Sequence, residues 1–310
     1  IAIIIALTCV TVYMLYPNHG LIAPQEVTIS ITDDFGYMTN LTGIPEKIVS
    51  LAPSNTQILY EIGVGDRVVG VTNYADYPYN FSAWIEAGNM TSVGGYKSTN
   101  MEAIANLAPD LIFSTTINND DVPYLRNLGY KVIVTNPNSI DDVYRNIEMI
   151  GKATGAQENA AALINKIQNQ INTINEKIAH ANIEEEPTVY YEIFYGSSGL
   201  RTAGSTSWIN DVIAKAGGIN IFNNVTQQYP NTSGEVIVNK NPDVILMPTD
   251  MGSFQASIEN VKNRPGWHTI DAVKNDRIYI IDKTLFNQPG ARVGEQVQAV
   301  AASLYPELFD

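Results

Sequence analysis

The chain has 310 residues, a length that favours two domains over one, and either half is long enough to bury its own core. Its formal net charge of -14 argues against a nucleic-acid-binding protein, because a phosphate backbone requires basic patches. A single cysteine, Cys9, excludes an intrachain disulfide. The three histidines, His19, His180 and His268, lie far apart, so we expect no protein-built zinc site and no resident cofactor.

Residues 1–16 are apolar and uncharged. Their number is slightly short of a full membrane span. We interpret residues 1–24 as a secretory signal or uncleaved anchor followed by a polar tether, with a buried core helix as the alternative. Whether the segment is removed stays open. The residues before Cys9, Ala-Leu-Thr, match a lipidation motif poorly.

An N-terminal α/β lobe is predicted over residues 25–155. Its predicted strands are 27–32, 47–52, 67–71 and 131–134, and its predicted helices are 53–62 and 140–154. A strand, a short helix and a second strand in succession are typical of a parallel β-α-β unit. Ser54 or Asn55 is placed to cap the first helix. The loop 73–78 follows a strand, at the sheet edge where ligands bind in open α/β proteins.

The longest helical pattern runs from Gln157 to Glu186 and contains no proline or glycine. Its apolar residues recur at spacings of three and four, which places them on one helix face. They are Leu163, Ile164, Ile167, Ile171, Ile174 and Ile178. Because this pattern lies between two similar halves, we predict that 156–186 connects the lobes. The alternative is an ordinary surface helix of one lobe.

A segment of eighteen residues occurs twice. Residues 96–113 align without a gap to 229–246, and eight of the eighteen positions are identical. Each copy predicts a loop with a tyrosine, a short helix with a glutamate in its first turn, a Pro-Asp break and a strand buried on both faces. Pro-Asp before an apolar run is common by itself. The matched tyrosine and glutamate favour an internal duplication, and therefore two lobes of similar design.

The second lobe is predicted over residues 187–310. Apart from the second repeat copy, it contains a strand at 188–194, a Gly-Ser-rich loop at 195–204, a helix at 206–216, a strand at 277–281 and a final helix at 292–304.

Several stretches together resemble one protein family. They are IVSLAPSNTQILYEIGVGDRVVGVTNYADYP at 48–78, Gly-Gly-Tyr and Asn-Met-Glu within 94–102, Ala-Pro-Asp-Leu-Ile at 108–112 and Pro-Gly-Ala-Arg-Val at 289–293. In order and over residues 45–308, the chain resembles the substrate-binding proteins of cobalamin and ferric-siderophore ABC importers. The resemblance implies a non-enzymatic monomer outside the cytoplasmic membrane. It also implies two Rossmann-like α/β lobes joined by one long rigid helix, with a ligand cleft between them and docking onto a permease with its ATPase.

The resemblance also assigns roles to single residues. Glu102 and Glu235 match the family glutamates that engage arginines of the permease. Acids in a first helical turn also complement the helix dipole, which is the alternative for either one alone. Tyr96 and Tyr229 stand where cobalamin-binding members place aromatic residues, usually tryptophan, and Tyr74 matches a further pocket aromatic. A tyrosine ring suits a corrin as well as a catecholate or hydroxamate chelate.

The remaining candidates are cationic. Arg292 is placed either to meet an anionic ligand group or to brace the last helix, and Arg201 lies in the glycine-rich loop of the second lobe. We interpret Trp208 and Trp267 as core anchors. The expected ligand is a metal chelate, with a corrinoid favoured over a ferric siderophore.

Two other classes of protein remain as alternatives. A metallocluster enzyme on a similar two-lobe fold would need cysteine ligands or an acid/base pair in the cleft. An adhesion module would need no aromatic residues facing a cleft.

Overall fold

The computed structural model describes residues 28–95, 98–118, 120–196, 199–249, 257–286 and 288–309. The predicted signal or anchor segment at 1–24 lies outside these residues, as does Tyr96. Within the described ranges, no helix is long and apolar enough to cross a membrane.

The first lobe contains an antiparallel hairpin and a parallel sheet. The hairpin consists of β1 (Thr28–Thr32) and β2 (Met38–Thr42), of which only the first was predicted. The five-stranded parallel sheet has the order β5-β4-β3-β8-β9. Its strands are β3 (Ile48–Ser50), β4 (Val68–Val71), β5 (Thr91–Ser92), β8 (Leu111–Thr115) and β9 (Val132–Thr135). The short strands β6 (Gly94–Gly95) and β7 (Ser98–Thr99) form a separate hairpin.

Helices cover both faces of this sheet. They are α1 (Pro53–Glu61), α2 (Phe81–Glu86), α3 (Met101–Leu107), α4 (Asp121–Asn127) and α5 (Ile140–Thr154). Alternate strand residues belong to different cores: Ile48 and Phe113 pack in one buried cluster, whereas Val49 and Ile112 pack in another. This alternation explains why the strands are continuously apolar in sequence.

The second lobe is built on a mixed six-stranded sheet with the order β13-β11-β10-β14-β15, in which β12 also pairs with β10. Its strands are β10 (Thr188–Gly196), β11 (Gly199–Thr202), β12 (Ile219–Asn220), β13 (Asn231–Thr232), β14 (Val244–Pro248) and β15 (Ile278–Ile281). Its helices are α7 (Trp208–Lys215), α8 (Gly234–Lys240), α9 (Ile258–Lys262), α10 (Asp271–Lys274), α11 (Lys283–Phe286), α12 (Val293–Leu304) and α13 (Pro306–Phe309). Short 3-10 turns occupy Gly65–Arg67, Thr116–Asn118 and Trp267–Thr269.

Helix α6 (Gln157–His180) lies between the two lobes in the chain and packs against α5 of the first and α12 of the second. Its 24 residues extend about 36 Å. Two glycines allow the close approach: a Cβ at Gly151 would lie 2.5 Å from the Ala160 Cβ, and one at Gly294 would lie 2.4 Å from the Gln170 side chain. One hydrophobic core continues from lobe to lobe along α6. The division at 25–155, 156–186 and 187–310 stays a prediction.

Three local predictions were wrong. Helix α6 ends at His180 rather than Glu186. The predicted loop 195–204 contains the end of β10 and all of β11, because these strands pair as an antiparallel hairpin. Neither Ser54 nor Asn55 caps α1: Ala52 is the N-cap, it makes no side-chain hydrogen bond, and Pro53 occupies the first turn. Proline needs no N–H partner there, so the helix begins without a polar cap.

Candidate functional site

A cavity of about 170 Å³ lies in the cleft between the two lobes. Its first-lobe side consists of residues at or just after the carboxyl ends of β3, β8 and β9, the sheet edge at which ligands of α/β proteins bind. They are Ala52, Pro53, Ser54, Thr115, Thr116, Thr135, Asn136 and Pro137. The second lobe contributes Trp208, Gln228, Tyr229, Gln288 and Pro289.

Asn55 holds the first-lobe side together. Its side chain is buried, and its Nδ2 donates to the Ser114 carbonyl at the end of β8, 3.1 Å away. The Thr135 hydroxyl, at the end of β9, donates to Asn55 Oδ1 at 3.0 Å. Asn55 therefore turns toward the sheet instead of capping α1, and it fixes two of the strand ends that form the cavity floor.

Aromatic side chains form the opposite wall. Tyr229 and Trp208 line the cavity, and Phe286 lies behind Trp208 with 5.9 Å between ring centroids. Tyr191 stacks on Phe286 at 5.1 Å. Burial raises the pKa of the Tyr229 hydroxyl, and a hydrogen bond with Trp208 partly opposes this shift. The tyrosine is therefore a neutral, flat surface at physiological pH.

Trp208 is a cavity residue that sequence reasoning missed. It is 4% exposed and packs in the core, as expected of an anchor, but it also lines the cavity. The available signal was its position as the first residue of α7 after the Ser207 cap, since the start of a helix that follows a loop commonly faces a ligand cleft in α/β folds.

Tyr74 lies in the loop after β4 and is 53% exposed. Its ring packs over the backbone of Gly95, where an added Cβ would lie 3.1 Å from the ring. Gly94, beside it, has a φ of +92°, and a Cβ there would lie 2.1 Å from the Ser98 carbonyl oxygen. The absence of a side chain at Gly94 thus permits the tight β6–β7 hairpin, and its absence at Gly95 leaves room for the Tyr74 ring. Tyr74 is not among the cavity-lining residues.

The two candidate arginines lie away from the cavity lining. Arg292 precedes α12 and pairs with Glu295 at 2.7 Å, and its guanidinium lies 4.5 Å from the centroid of the Tyr77 ring in the first lobe. Of the two roles that the sequence left open for Arg292, contact with an anionic ligand group and bracing of the last helix, this arrangement matches the second. Arg201 is exposed on β11, on the strand face opposite Leu200 and Thr202, which are buried.

The cavity is uncharged. None of the thirteen described residues that line it is Asp, Glu, Lys, Arg or His. No cluster of His, Cys, Asp or Glu suited to a metal ion occurs in the described part of the chain. The lining therefore offers hydroxyl groups, carboxamides and aromatic faces.

Hydrogen bonds between the lobes border the cavity on two sides. On one side, Gln288 accepts from Gln57 Nε2 and donates to Asp76 Oδ1 at 3.3 Å. On the other side, Gln228 Nε2 donates to Asn138 Oδ1 at 2.7 Å.

Glu102 and Glu235 occupy equivalent places in the first turns of α3 and α8. Both are exposed, and neither forms an ion pair with another described residue. Each carboxylate is thus available to a partner.

Comparison with known proteins identifies the family. A model described as periplasmic binding protein matches residues 48–285. The chain belongs to the periplasmic binding protein family. It is therefore a substrate-binding transport protein of the ABC-importer type rather than an enzyme, and it acts outside the cytoplasm. These conclusions confirm the predicted family, class and location.

Curated relatives extend the similarity along the chain. The uncharacterized ABC transporter substrate-binding lipoprotein YvrC of Bacillus subtilis is 33% identical, over 91% of this chain and 87% of the relative. The cobalamin-binding protein of Halobacterium salinarum is 30% identical, over 84% of this chain and 70% of the relative.

Solved structures confirm the two-lobe α/β fold. A possible iron-binding periplasmic protein of Staphylococcus epidermidis superposes with a TM-score of 0.72 at 28% identity, covering 85% of this chain and 100% of the other. The vitamin B12-binding protein BtuF of Vibrio cholerae gives a TM-score of 0.67 at 25% identity, covering 84% and 97%.

Proposed function

We propose that this periplasmic binding protein captures an uncharged metal chelate, with a corrinoid as the favoured ligand, and delivers it to the permease of an ABC importer. The observation that carries the proposal is the uncharged cavity between the lobes. The relatives named as cobalamin-binding and vitamin B12-binding proteins support the same ligand.

Charge separates the candidate ligands. A ferric tris-catecholate carries several negative charges, and enclosing them without a cation would cost far more than hydrogen bonds return. The protein's own net charge of -14 would also repel such an anion. A corrinoid presents carboxamides around a flat ring, and these match the Ser, Thr, Asn and Gln side chains of the cavity. An uncharged ferric hydroxamate satisfies the same condition and is the second candidate.

The aromatic wall suits a flat ligand. Tyr229 offers a ring face beside Trp208, and Phe286 packs behind Trp208. Tyr74 offers a second exposed ring on the first lobe. Tyr96 belongs to the same proposed ligand set, as do Arg201 and Arg292, although neither arginine lines the cavity.

Docking on the permease is proposed for Glu102 and Glu235. Their positions in matched helices place one unpaired carboxylate on each lobe. A carboxylate pairs with an arginine in bidentate fashion, which supplies orientation as well as attraction. The protein would act as a monomer, held near the membrane by its N-terminal segment.

Ligand titration by calorimetry tests the ligand class. We expect cyanocobalamin to bind tightly, ferrichrome, an uncharged hydroxamate, more weakly, and ferric enterobactin, an anionic tris-catecholate, not measurably. Tight binding of the catecholate with no binding of cobalamin would overturn the proposal.

As a matched test, Tyr229→Ala should weaken cobalamin binding by about 1–3 kcal/mol, whereas Tyr229→Phe keeps the ring face and should weaken it less.

A further inference from the structure

The hydrogen bond between Gln228 and Asn138 spans the cleft beside the cavity. Gln228 lies in the second lobe, in the loop before β13, and Asn138 lies in the first lobe, between β9 and α5. The two residues are 90 positions apart in the chain, and their amides meet at 2.7 Å. We refer to this contact as the amide bridge.

Asn138 is held in place from its own lobe. Its Nδ2 donates to the Asn136 carbonyl at 3.1 Å, and its backbone N–H donates to Asp142 Oδ2 at 2.8 Å. One N–H of its amino group is bound to Asn136, and this bond orients the amide with its carbonyl oxygen Oδ1 toward Gln228. That oxygen is therefore a preset acceptor whether or not Gln228 is opposite it.

A neighbouring contact can keep the lobes together when the amide bridge opens. The backbone N–H of Ile140, at the start of α5, donates to Asp211 Oδ2 on α7 at 2.8 Å. The lobes are also joined by the Gln288–Asp76 hydrogen bond and by helix α6, which packs on α5 of the first lobe and α12 of the second. Opening the bridge thus requires a local displacement and no separation of the lobes.

The cavity is too small for a whole chelate while the bridge is closed. It encloses about 170 Å³, whereas sites for small molecules and cofactors usually enclose about 300–1,000 Å³. A ligand of corrinoid size must displace part of the lining, and Gln228 is a lining residue held by a single bond from its side chain to the other lobe. The bridge joins two uncharged amides, and the net contribution of such a bond is small, because an equivalent bond can replace it.

We infer that Asn138 and Gln228 are ligand-selecting residues, whose amides exchange their mutual hydrogen bond for hydrogen bonds to carboxamides of the chelate. The inference rests on the proposed function and names the chemical group that this part of the site recognises. An amide recognises a carboxamide as both donor and acceptor, whereas a carboxylate in the same place would leave the Asn138 oxygen facing a second acceptor.

Binding kinetics with cyanocobalamin test the inference. Gln228→Ala and Asn138→Ala each remove the bridge and one ligand partner. Association should become about threefold faster, because no bond must break first, and dissociation about thirtyfold faster, which gives a roughly tenfold higher Kd. Gln227→Ala is the matched control. It is the same residue type one position away and exposed, and its side chain makes no hydrogen bond to another described residue.

Each result has one meaning. Faster association and still faster dissociation, with Gln227→Ala like wild type, supports the inference. Faster association with unchanged dissociation makes the bridge a latch without ligand contact and overturns it, as does an absence of change in both rates. A second test uses derivatives of cyanocobalamin in which one side-chain carboxamide is converted to a carboxylate. The derivative changed at the carboxamide that meets Asn138 should bind wild type less tightly than cyanocobalamin does. Asn138→Ala should bind that derivative and cyanocobalamin equally. If wild type binds neither cyanocobalamin nor ferrichrome, the proposed function fails and the inference fails with it.

Discussion

The two copies of the internal repeat fold alike but are stabilised differently. Helices α3 and α8 each have seven residues, and each ends at a left-handed residue, Ala108 (φ 46°, ψ 61°) and Asn241 (φ 46°, ψ 64°). Ile104 and Ile237 are fully buried at equivalent positions. The shared residues therefore specify a common backbone, including a conformation that most side chains avoid.

The second copy has more side-chain support. Asn241 tolerates the left-handed conformation and also exchanges hydrogen bonds with Asp271, at 2.6 and 2.9 Å. Ala108, at the equivalent place, has no such groups. Asp110 accepts from two backbone N–H groups, whereas Asp243 and Thr188 exchange bonds in both directions. The two copies therefore share a backbone but fix it through different side-chain hydrogen bonds.

The largest expected effect tests whether the copies share one function. We predict that Glu102→Ala combined with Glu235→Ala reduces ligand uptake in reconstituted vesicles by at least about tenfold and leaves ligand affinity unchanged, because the two carboxylates would pair with permease arginines. Charge reversal to Arg should be worse. If the double variant transports normally, the acids only complement their helix dipoles. A loss of ligand affinity would instead place them in the pocket.

The next prediction compares a buried ion pair in each lobe. Arg264 pairs with Glu192, which is 1% exposed and whose one other side-chain partner among the described residues is the Tyr190 hydroxyl, at 3.4 Å. We expect Arg264→Met to lower the free energy of unfolding by about 3–5 kcal/mol, because it leaves a buried, unpaired carboxylate. Chemical denaturation measures this change, and Arg264→Lys should recover part of it.

Arg126→Met is the first-lobe counterpart. Its partner Asp33 retains three backbone N–H donors, from Phe35, Tyr37 and Val134. The cost should therefore be smaller, about 1–2 kcal/mol. Equal costs in the two lobes would show that backbone donors do not compensate the Asp33 charge.

A smaller effect is expected at the left-handed helix ends. Ala108→Gly should stabilise the protein by about 1 kcal/mol, because glycine adopts this conformation without a Cβ clash. Asn241→Ala should destabilise it by about 1–2 kcal/mol through the same strain and the lost bonds to Asp271. Thermal unfolding of both variants checks the pair. A destabilised Ala108→Gly would mean that the entropy of the unfolded glycine chain outweighs the relief of strain.

The smallest effect depends on pH and is confined to the first lobe. Burial opposes ionisation of Asp142, but hydrogen bonds from the Asn138 N–H and from Arg145 outweigh it, so the pKa of Asp142 lies below its usual 3.8. A lowered folded-state pKa contributes stability above the unfolded value, and that stability is lost as pH falls through the lowered pKa. The difference between wild type and Asp142→Asn should be constant from about pH 5 to 8 and shrink below about pH 4. A difference that persists in acid would mean that the charge contributes nothing.

Much of the fold was predictable because its signals are local. Helix α5 was predicted at its observed bounds, Ile140–Thr154, and α6 begins at Gln157 as expected. The buried stripe of α6 follows directly from residues three and four apart. Strands β2 and β11 were missed, because they are short and every second residue is exposed, so they resemble loops in sequence.

The candidate site was predictable only in part. The family resemblance indicated Tyr229 and the β-α-β order indicated the sheet edge, whereas Trp208 resembled an ordinary core residue. Asn55 resembled a helix cap because it follows a strand and precedes an apolar run. Its actual partners, Ser114 and Thr135, are 59 and 80 positions away, so no local pattern indicates them.

The sequence alone indicated the repeated α/β plan, the long helix between the two halves and the scarcity of cysteine and histidine, because each depends on residue types or short spacings. Only the tertiary structure decided that the cavity is uncharged, that Gln228 meets Asn138, and that Gln57 meets Gln288 over 231 positions. These features depend on how closely the lobes approach each other. That approach is set by the packing of α6 on α5 and α12, which involves all three helices at once.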